Sequence, residues 1–172
     1  MSKPKYLRFE TGNDAATVLT KWWHDLEGDR GERAALRRCQ SPLEVVFTPA
    51  FHGLYRSLLA HGWVDAERLV LVAGLAAHVK KNDPAQAGRS IAAQMAQTKP
   101  GGNSAVLSGL RFRRLLKIQS REELFSAMVR VIRLLGGRLD LVDLARSVYD
   151  WNDWTRKQWA FDYYNSAPGN EA

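Results

Sequence analysis

Residues 65–80 read DAERLVLVAGLAAHVK, and they place apolar side chains around most of the circumference of a helix. A helix that is apolar on all sides is buried among other elements. We therefore expect this segment at the centre of the first of two helical lobes, and we expect the residues that follow, KKNDP (80–84), to end it. The apolar positions are Leu69, Val70, Leu71, Val72, Leu75, Ala76 and Val79.

The rest of the chain also has the pattern of helices. No stretch alternates apolar and polar residues convincingly, and Gly and Pro fall between segments with a helical period. Residues 41–44, SPLE, combine a Ser cap, a Pro at the first helical position and a Glu at the third, and Thr48 with Pro49 repeats this start. Ser120 with Glu123 predicts a further helix start. The sequence therefore predicts an all-α fold.

A Gly-rich segment divides the predicted helices into two sets. This segment, TKPGGNS at 98–104, is typical of a linker between lobes or of a mobile loop. We predict two small helical lobes packed together, one formed by residues 1–99 and one by residues 100–172. The end of the chain, SAPGNEA at 166–172, predicts a frayed tail.

Composition indicates a soluble protein. The single cysteine, Cys39, cannot form an intramolecular disulfide, so nothing points to an oxidising compartment. The first residues, MSKPKYLRFE, contain no apolar run of the length found in signal peptides. No window approaches the roughly 18 consecutive apolar residues of a membrane span. We therefore expect a cytoplasmic protein that does not enter a membrane.

The net charge of +7 is concentrated in one part of the chain. From Pro84 to Arg121 there is no Asp or Glu, whereas this run contains seven of the 25 basic residues. The 18 basic residues that remain equal the number of acidic residues, so the whole excess lies in this run. A local excess of positive charge attracts polyanions, whereas a diffuse one mainly affects solubility. The seven cations are Arg89, Lys99, Arg111, Arg113, Arg114, Lys117 and Arg121.

Residues 108–117, SGLRFRRLLK, carry the densest group of these cations. On a predicted helix over 106–118, Arg113, Arg114 and Lys117 share about one third of the circumference, away from the apolar side chains. On the following helix Arg130 and Arg133 share a face, with Arg138 just beyond its end. Neighbouring helices would join these cations into one strip. The candidate binding residues here are Arg111, Arg113, Arg114, Lys117, Arg130, Arg133 and Arg138.

A second group of cations lies earlier in the chain. It consists of Arg37 and Arg38 with Lys80 and Lys81, although several acids precede the first pair. Cations at helical spacing neutralise a phosphate backbone without reading bases, so the expected binding ignores sequence and weakens with salt. The alternative is that these are solvated surface side chains that also cover apolar surface. The absence of acids over 38 residues favours polyanion binding, because a surface that serves only stability normally mixes acidic and basic side chains.

No pattern in the sequence indicates catalysis. The four histidines do not have zinc-site spacing, and we find no phosphate-binding loop, dinucleotide fingerprint or nucleophile motif. We therefore predict that the protein is not an enzyme and needs no metal or cofactor. The aromatic residues between 149 and 164 could stack nucleic-acid bases, but core packing or a protein interface explains them better.

Two stretches resemble a known family. These are KWWHDLEGDRGERAALRRCQSPLEVVFTPAFHGLY at 21–55 and LSGLRFRRLLKIQSREELFSAMVRVIRLL at 107–135. Together they are similar to the small subunit of the type I-E CRISPR surveillance complex, Cascade, known as the CasB family. The resemblance covers roughly residues 15–155 and implies an all-α protein without enzymatic activity.

The resemblance also implies partners and a path for nucleic acid. It implies a homodimer beside the large subunit, the backbone subunits and the crRNA, where a basic surface holds the opened target DNA, including the displaced strand. The residues implied to line this path are Arg113, Arg114, Arg130 and Arg133, with Arg37, Arg38, Lys80 and Lys81 as lesser candidates.

Two other functions remain open from the residues alone. A stand-alone helical DNA-binding regulator would need base-reading side chains at the start of a recognition helix, and the basic helix has mostly Arg and Leu. A scaffold that binds acidic proteins through its arginines would have no affinity for nucleic acid.

Overall fold

The computed structural model describes residues 5–84 and 89–169. It confirms the all-α fold, since helices make up most of the described chain and the one sheet has two short strands. The helices are α1 (Asp14–Gly28), α2 (Arg30–Arg38), α3 (Pro42–Val46), α4 (Pro49–Leu59), α5 (Ala66–Ala76), α6 (Ile91–Ala96), α7 (Gly109–Leu116), α8 (Arg121–Leu134), α9 (Leu141–Tyr149) and α10 (Asp153–Ser166). None of them is long and apolar enough to span a membrane, and this holds for the described residues.

The helices begin at the caps that the sequence predicts. The Ser41 hydroxyl accepts a hydrogen bond from the backbone N–H of Glu44, and Thr48 does the same for Phe51. The Glu44 carboxylate in turn accepts a bond from the backbone N–H of Gln40 at 2.6 Å. Ser120 caps α8 in the same way. These bonds satisfy backbone donors that a helix start otherwise leaves free, and so they fix where each helix begins.

Helix α5 lies at the centre of the core, as its apolar circumference predicts. Every residue from Leu69 to Ala76 is buried. At Gly74 an added Cβ would lie 2.6 Å from the Phe125 ring and 2.9 Å from the Val45 side chain, so α8 and α3 approach the backbone of α5 directly. Helix α9 packs against a further side. Helix α5 is therefore enclosed by elements from both halves of the sequence.

The packing between the two predicted lobes is extensive. Helix α6 precedes the predicted boundary near residue 100, yet it packs chiefly against α10 at the other end of the chain. The buried apolar residues from Leu7 to Tyr163 form one continuous cluster. The division into lobes at 1–99 and 100–172 stays a prediction, and the core includes residues from both of these ranges. Of the predicted tail, residues 170–172 lie outside the described part of the chain.

A short parallel pair of strands joins the two halves as well. Strand β1 (Lys81–Asn82) pairs with β2 (Arg138–Leu139), with Lys81 opposite Arg138. The Asn82 side chain also accepts a bond from the backbone N–H of Leu141 at 2.9 Å, at the start of α9. Two-residue strands carry no periodicity, and for this reason the sequence did not predict them.

The Gly-rich segment forms a tight turn. Thr98 and Ala105 make an antiparallel bridge, and the backbone N–H of Lys99 donates to Ser104 at 2.9 Å. Gly101 has a φ of 74°, which a residue with a side chain rarely adopts. Helix α7 begins at Gly109 rather than at the predicted Val106, because Ser108 is its cap.

Candidate nucleic-acid interface

Helix α7 separates its apolar and basic side chains, as the helical spacing predicts. Gly109, Phe112 and Leu115 are buried. The four cations of this segment are exposed, and none of them forms an ion pair within the described residues. They are Arg111, Arg113, Arg114 and Lys117.

Helices α7 and α8 form a groove that we call the α7–α8 groove. Arg111 and Arg114 line it from α7 and Arg130 lines it from α8, with an apolar floor that includes Leu115. An acid, Glu123, also lines it. The groove therefore brings together three of the predicted binding residues, as two neighbouring basic helices would. Arg113 and Lys117 do not line it and lie elsewhere on the exposed surface of α7.

A second basic site forms where α2, the segment after α5 and the end of α8 meet. Arg33 of α2 fixes this arrangement, because its guanidinium donates to the backbone carbonyl of Val79 at 2.7 Å and to that of Ala77 at 3.3 Å. The chain leaves α8 through two glycines with left-handed φ angles, 70° at Gly136 and 73° at Gly137. These bonds and this turn hold the flanking side chains together.

Lys80 packs directly over this turn. The Gly137 carbonyl accepts hydrogen bonds from the backbone N–H groups of Lys80, at 2.8 Å, and Lys81, at 3.1 Å. A Cβ at Gly137 would lie 2.8 Å from the Lys80 Cγ atom. Only glycine leaves room for the Lys80 side chain at this position.

We call the resulting site the α2–α8 cleft. Arg37, Arg38, Lys80 and Arg133 line it, together with His78, and its volume is about 410 Å³. No Asp or Glu lines it among the described residues. A cluster of exposed cations without a carboxylate produces a positive potential that attracts phosphate groups.

The acids that precede Arg37 and Arg38 in the sequence bind other groups. The Asp29 carboxylate caps α2, and the Glu32 carboxylate accepts a bond from the backbone N–H of Ala50 at 3.2 Å. Asp25 pairs with Lys21 at 3.1 Å. Arg37 and Arg38 consequently form no ion pair in the described part of the chain.

His78 is a neutral group among these cations. Burial lowers the pKa of His78, and the charges of Arg37, Arg133 and Arg33 lower it further. The Nε2 atom of its ring is buried and has no hydrogen-bond partner within the described residues. Sequence reasoning missed this residue, because a lone histidine beside a helix end carries no recognisable spacing.

Two cations of the predicted surface are paired with acids. The Arg138 guanidinium bonds to Asp83 at 2.8 Å, and this bond lowers the pKa of the Asp83 carboxyl. Arg121 lies 3.1 Å from Glu67 of α5. The run from Pro84 to Arg121 therefore contains no acidic residue, but an acid from another part of the chain pairs with one of its cations. Lys81, opposite Arg138 in the sheet, is exposed.

Helix α8 joins the groove to the cleft. Arg130 lines the groove, Arg133 lines the cleft, and the two are one helical turn apart. Two groups of cations that are distant in the sequence thus meet in the cleft, because Arg37, Arg38 and Lys80 share it with Arg133. Of the cations predicted to form one strip, Arg114 and Arg130 share the groove with Arg111, Arg133 lies in the cleft, and Arg113 and Lys117 line neither. Their role in binding stays a prediction.

The aromatic C-terminal region divides between core and surface. Trp159 and Tyr163 of α10 are buried, whereas Trp154 and Phe161 on the same helix are 63% and 56% exposed. Among the described residues, no three His, Cys, Asp or Glu side chains come close enough to hold a metal ion.

Comparison with known proteins gives the family. Residues 32–164 match the family described as CRISPR-associated protein Cse2. The chain belongs to this family. The match covers most of the chain and includes the groove and the cleft, and it confirms the resemblance seen in the sequence.

Solved structures share this fold. One is a chain in the crystal structure of Escherichia coli Cascade bound to a PAM-containing dsDNA target, with a TM-score of 0.64 and 23% identity over 89% of this chain and 95% of that chain. Another is a Cse2-family CRISPR-associated protein from Thermus thermophilus, with a TM-score of 0.63 and 24% identity over 88% of this chain and 98% of that chain. A search of curated proteins gave no match.

Proposed function

We propose that this protein is a non-catalytic, nucleic-acid-binding subunit of a type I-E CRISPR Cascade complex. In this role it stabilises the guide RNA and the target DNA that the guide opens, in defence against viruses. Membership of the Cse2 family supports the assembly, and the similarity of its fold to a chain of the DNA-bound Cascade structure is consistent with it.

The cations of the groove and the cleft support the proposal that the protein binds nucleic acid. The α7–α8 groove and the α2–α8 cleft together expose seven cations on elements that α8 joins, and among the described residues only one acid lines either of them. A protein that contacts about six to ten phosphates loses affinity steeply as the salt concentration rises, because binding releases counterions. The cations are Arg37, Arg38, Lys80, Arg111, Arg114, Arg130 and Arg133.

The binding that this surface supports ignores sequence. Arginines and lysines spread over several helices contact successive phosphates, whereas base reading needs side chains that enter a groove of the duplex at a fixed register. Sequence recognition in RNA-guided complexes is carried by base pairing with the guide. Arg113 and Lys117 of α7, with Lys81 beside the cleft, extend the proposed path. Arg138 contributes less, because Asp83 already neutralises it.

The proposal also assigns partners and a location. The protein works in the cytoplasm as a homodimer, in contact with the crRNA, the displaced strand of the target, the large subunit and the backbone subunits. It assigns no chemical step to the protein. Labelled DNA and RNA should therefore remain intact on long incubation with Mg²⁺ or Mn²⁺, and cleavage that copurifies through several columns would contradict this.

Titration with nucleic acid tests the proposal. Two unrelated oligonucleotides, each single-stranded and double-stranded, are titrated with the isolated protein at several salt concentrations. We expect weak binding to all of them and a logarithmic affinity that falls linearly with the logarithm of the salt concentration. A preference of more than about tenfold for one sequence would favour a base-reading regulator. No binding at any salt concentration would favour a scaffold for acidic proteins.

A further inference from the structure

The α2–α8 cleft contains one histidine, and histidine is the side chain whose unperturbed pKa lies closest to physiological pH. His78 lines the cleft, and an imidazole can gain or lose its charge more readily than the surrounding arginines and lysine. Its ring is partly buried, and the Nε2 atom has no hydrogen-bond partner within the described residues. A buried ring nitrogen without a partner is unusual in a folded protein and calls for an explanation.

The charges that face His78 all have the same sign. Arg33 and Arg37 act on it from α2 and Arg133 from the end of α8, while Arg38 and Lys80 complete the lining of the cleft. No carboxylate lines the cleft in the described part of the chain. Because burial and these cations lower the pKa of His78, the imidazole is neutral at physiological pH in the free protein.

We propose that binding of a nucleic-acid phosphate in the α2–α8 cleft is coupled to protonation of His78. This inference rests on the proposed function, and it adds His78 as a group that responds to the bound phosphate. A phosphate in the cleft brings negative charge close to the imidazole and offsets the repulsion from the arginines. The protonated form then gains an attractive partner for its charge.

The sign of the pH dependence follows from this coupling. The pKa of His78 is higher in the bound state than in the free state, so the complex takes up a proton between these two pKa values. The affinity therefore rises as the pH falls through that interval. Each unit by which the two pKa values differ corresponds to about a tenfold difference in affinity between a pH above both values and a pH below both.

A binding titration across pH tests the coupling. A single-stranded DNA oligonucleotide is titrated at constant ionic strength, from about pH 8 down to about pH 5.5, where histidines titrate. The variants are His78→Gln and, as a matched control, His24→Gln, which changes an exposed histidine on α1 away from the cleft. We expect the affinity of the wild type and of His24→Gln to rise as the pH falls, and that of His78→Gln to stay nearly constant. The same pH dependence in His78→Gln would overturn the proposal.

A second measurement does not depend on a variant. The NMR titration of the His78 ring in the wild type gives its pKa with and without the oligonucleotide. We expect the pKa to rise on binding, and an unchanged or lowered value would contradict the coupling. Binding with an unchanged His78 pKa would leave the proposed function intact, whereas the absence of binding at every pH would contradict both.

Discussion

The rings of Phe112 and Tyr163 stack face to face, with their centroids 3.9 Å apart and their planes inclined by 8°. This contact fastens the basic helix α7 to α10. The Tyr163 hydroxyl also donates to the backbone carbonyl of Leu107, just before α7 begins, at 2.5 Å. The buried side of α7 is therefore fixed by the core, and its cations are left on the outside.

Replacement of Phe112 by Ala should destabilise the fold. The side chain is fully buried, and its removal leaves a cavity beside Tyr163. We expect a loss of roughly 3 to 5 kcal/mol in the free energy of unfolding, measured by urea denaturation. The control is Phe161→Ala on α10, where the ring is 56% exposed and the expected change is within about 0.5 kcal/mol. Equal effects in the two variants would contradict the assigned packing.

Replacement of both Arg113 and Arg114 by Ala should weaken nucleic-acid binding and leave the stability of the fold nearly unchanged. Both side chains are exposed, so the thermal unfolding midpoint should hardly move. Loss of two phosphate contacts should lower the salt slope of binding by about two and weaken all sequences alike. In an assembled complex, binding of the opened target DNA should weaken more than retention of the guide RNA.

A matched control removes two charges elsewhere. Lys21→Ala with Arg121→Ala takes away cations that are paired with Asp25 and Glu67 on the surface. This variant should keep most of the salt slope of binding. It loses the same net charge as the Arg113 and Arg114 variant, but its basic groove and cleft stay intact. If the Arg113 and Arg114 variant unfolds while binding per folded molecule stays normal, these arginines are structural.

Substitutions at the two glycines after α8 distinguish the effect of backbone strain from the effect of displacing Lys80. Gly136→Ala and Gly137→Ala both force a side chain into a left-handed conformation, which costs about 1–2 kcal/mol. Only Gly137→Ala places a Cβ against Lys80, since nothing lies within 4 Å of the Cβ position at Gly136. Gly137→Ala should lose more stability than Gly136→Ala in urea denaturation, because its Cβ also crowds Lys80, and only Gly137→Ala should lower the salt slope, by up to about one. Equal binding by the two would show that Lys80 does not contact phosphate.

His78 should make the stability of the free protein depend on pH. Its pKa is lowered in the folded state, so below the unfolded value of about 6.5 the unfolded chain binds more protons. The free energy of unfolding should therefore fall as the pH drops through this value towards the folded pKa, and level off below it. Urea denaturation of the wild type and of His78→Gln over this range measures the effect. The difference between them should shrink as the pH falls, and parallel curves would contradict it.

Local features of this fold could be predicted from the sequence. Ser41, Thr48 and Ser120 cap helices through side chains only three residues from the backbone group they bind. Such contacts depend on neighbouring residues alone, and sequence patterns describe them well. The burial of α5 from Leu69 onwards could be predicted for a similar reason, because this part of the helix has no polar side chain to expose.

Contacts between distant residues could not be predicted in this way. Nothing in the sequence indicates that Arg133 shares a cleft with Arg37, or that Asp83 neutralises Arg138. The order of the helices in space decides both contacts. The basic character of the surface could thus be predicted, whereas its division into groove and cleft, and the position of His78 in the cleft, required the structure.

The position of α5 has a consequence for how the chain is made. The ribosome completes α5 at Ala76, whereas two of the helices that enclose it begin only at Arg121 and Leu141. During this interval the nascent chain carries an apolar helix with two sides uncovered, and such species bind chaperones or aggregate. A premature stop codon before α8 would make that exposure permanent, and we expect the truncated product to be insoluble or rapidly degraded.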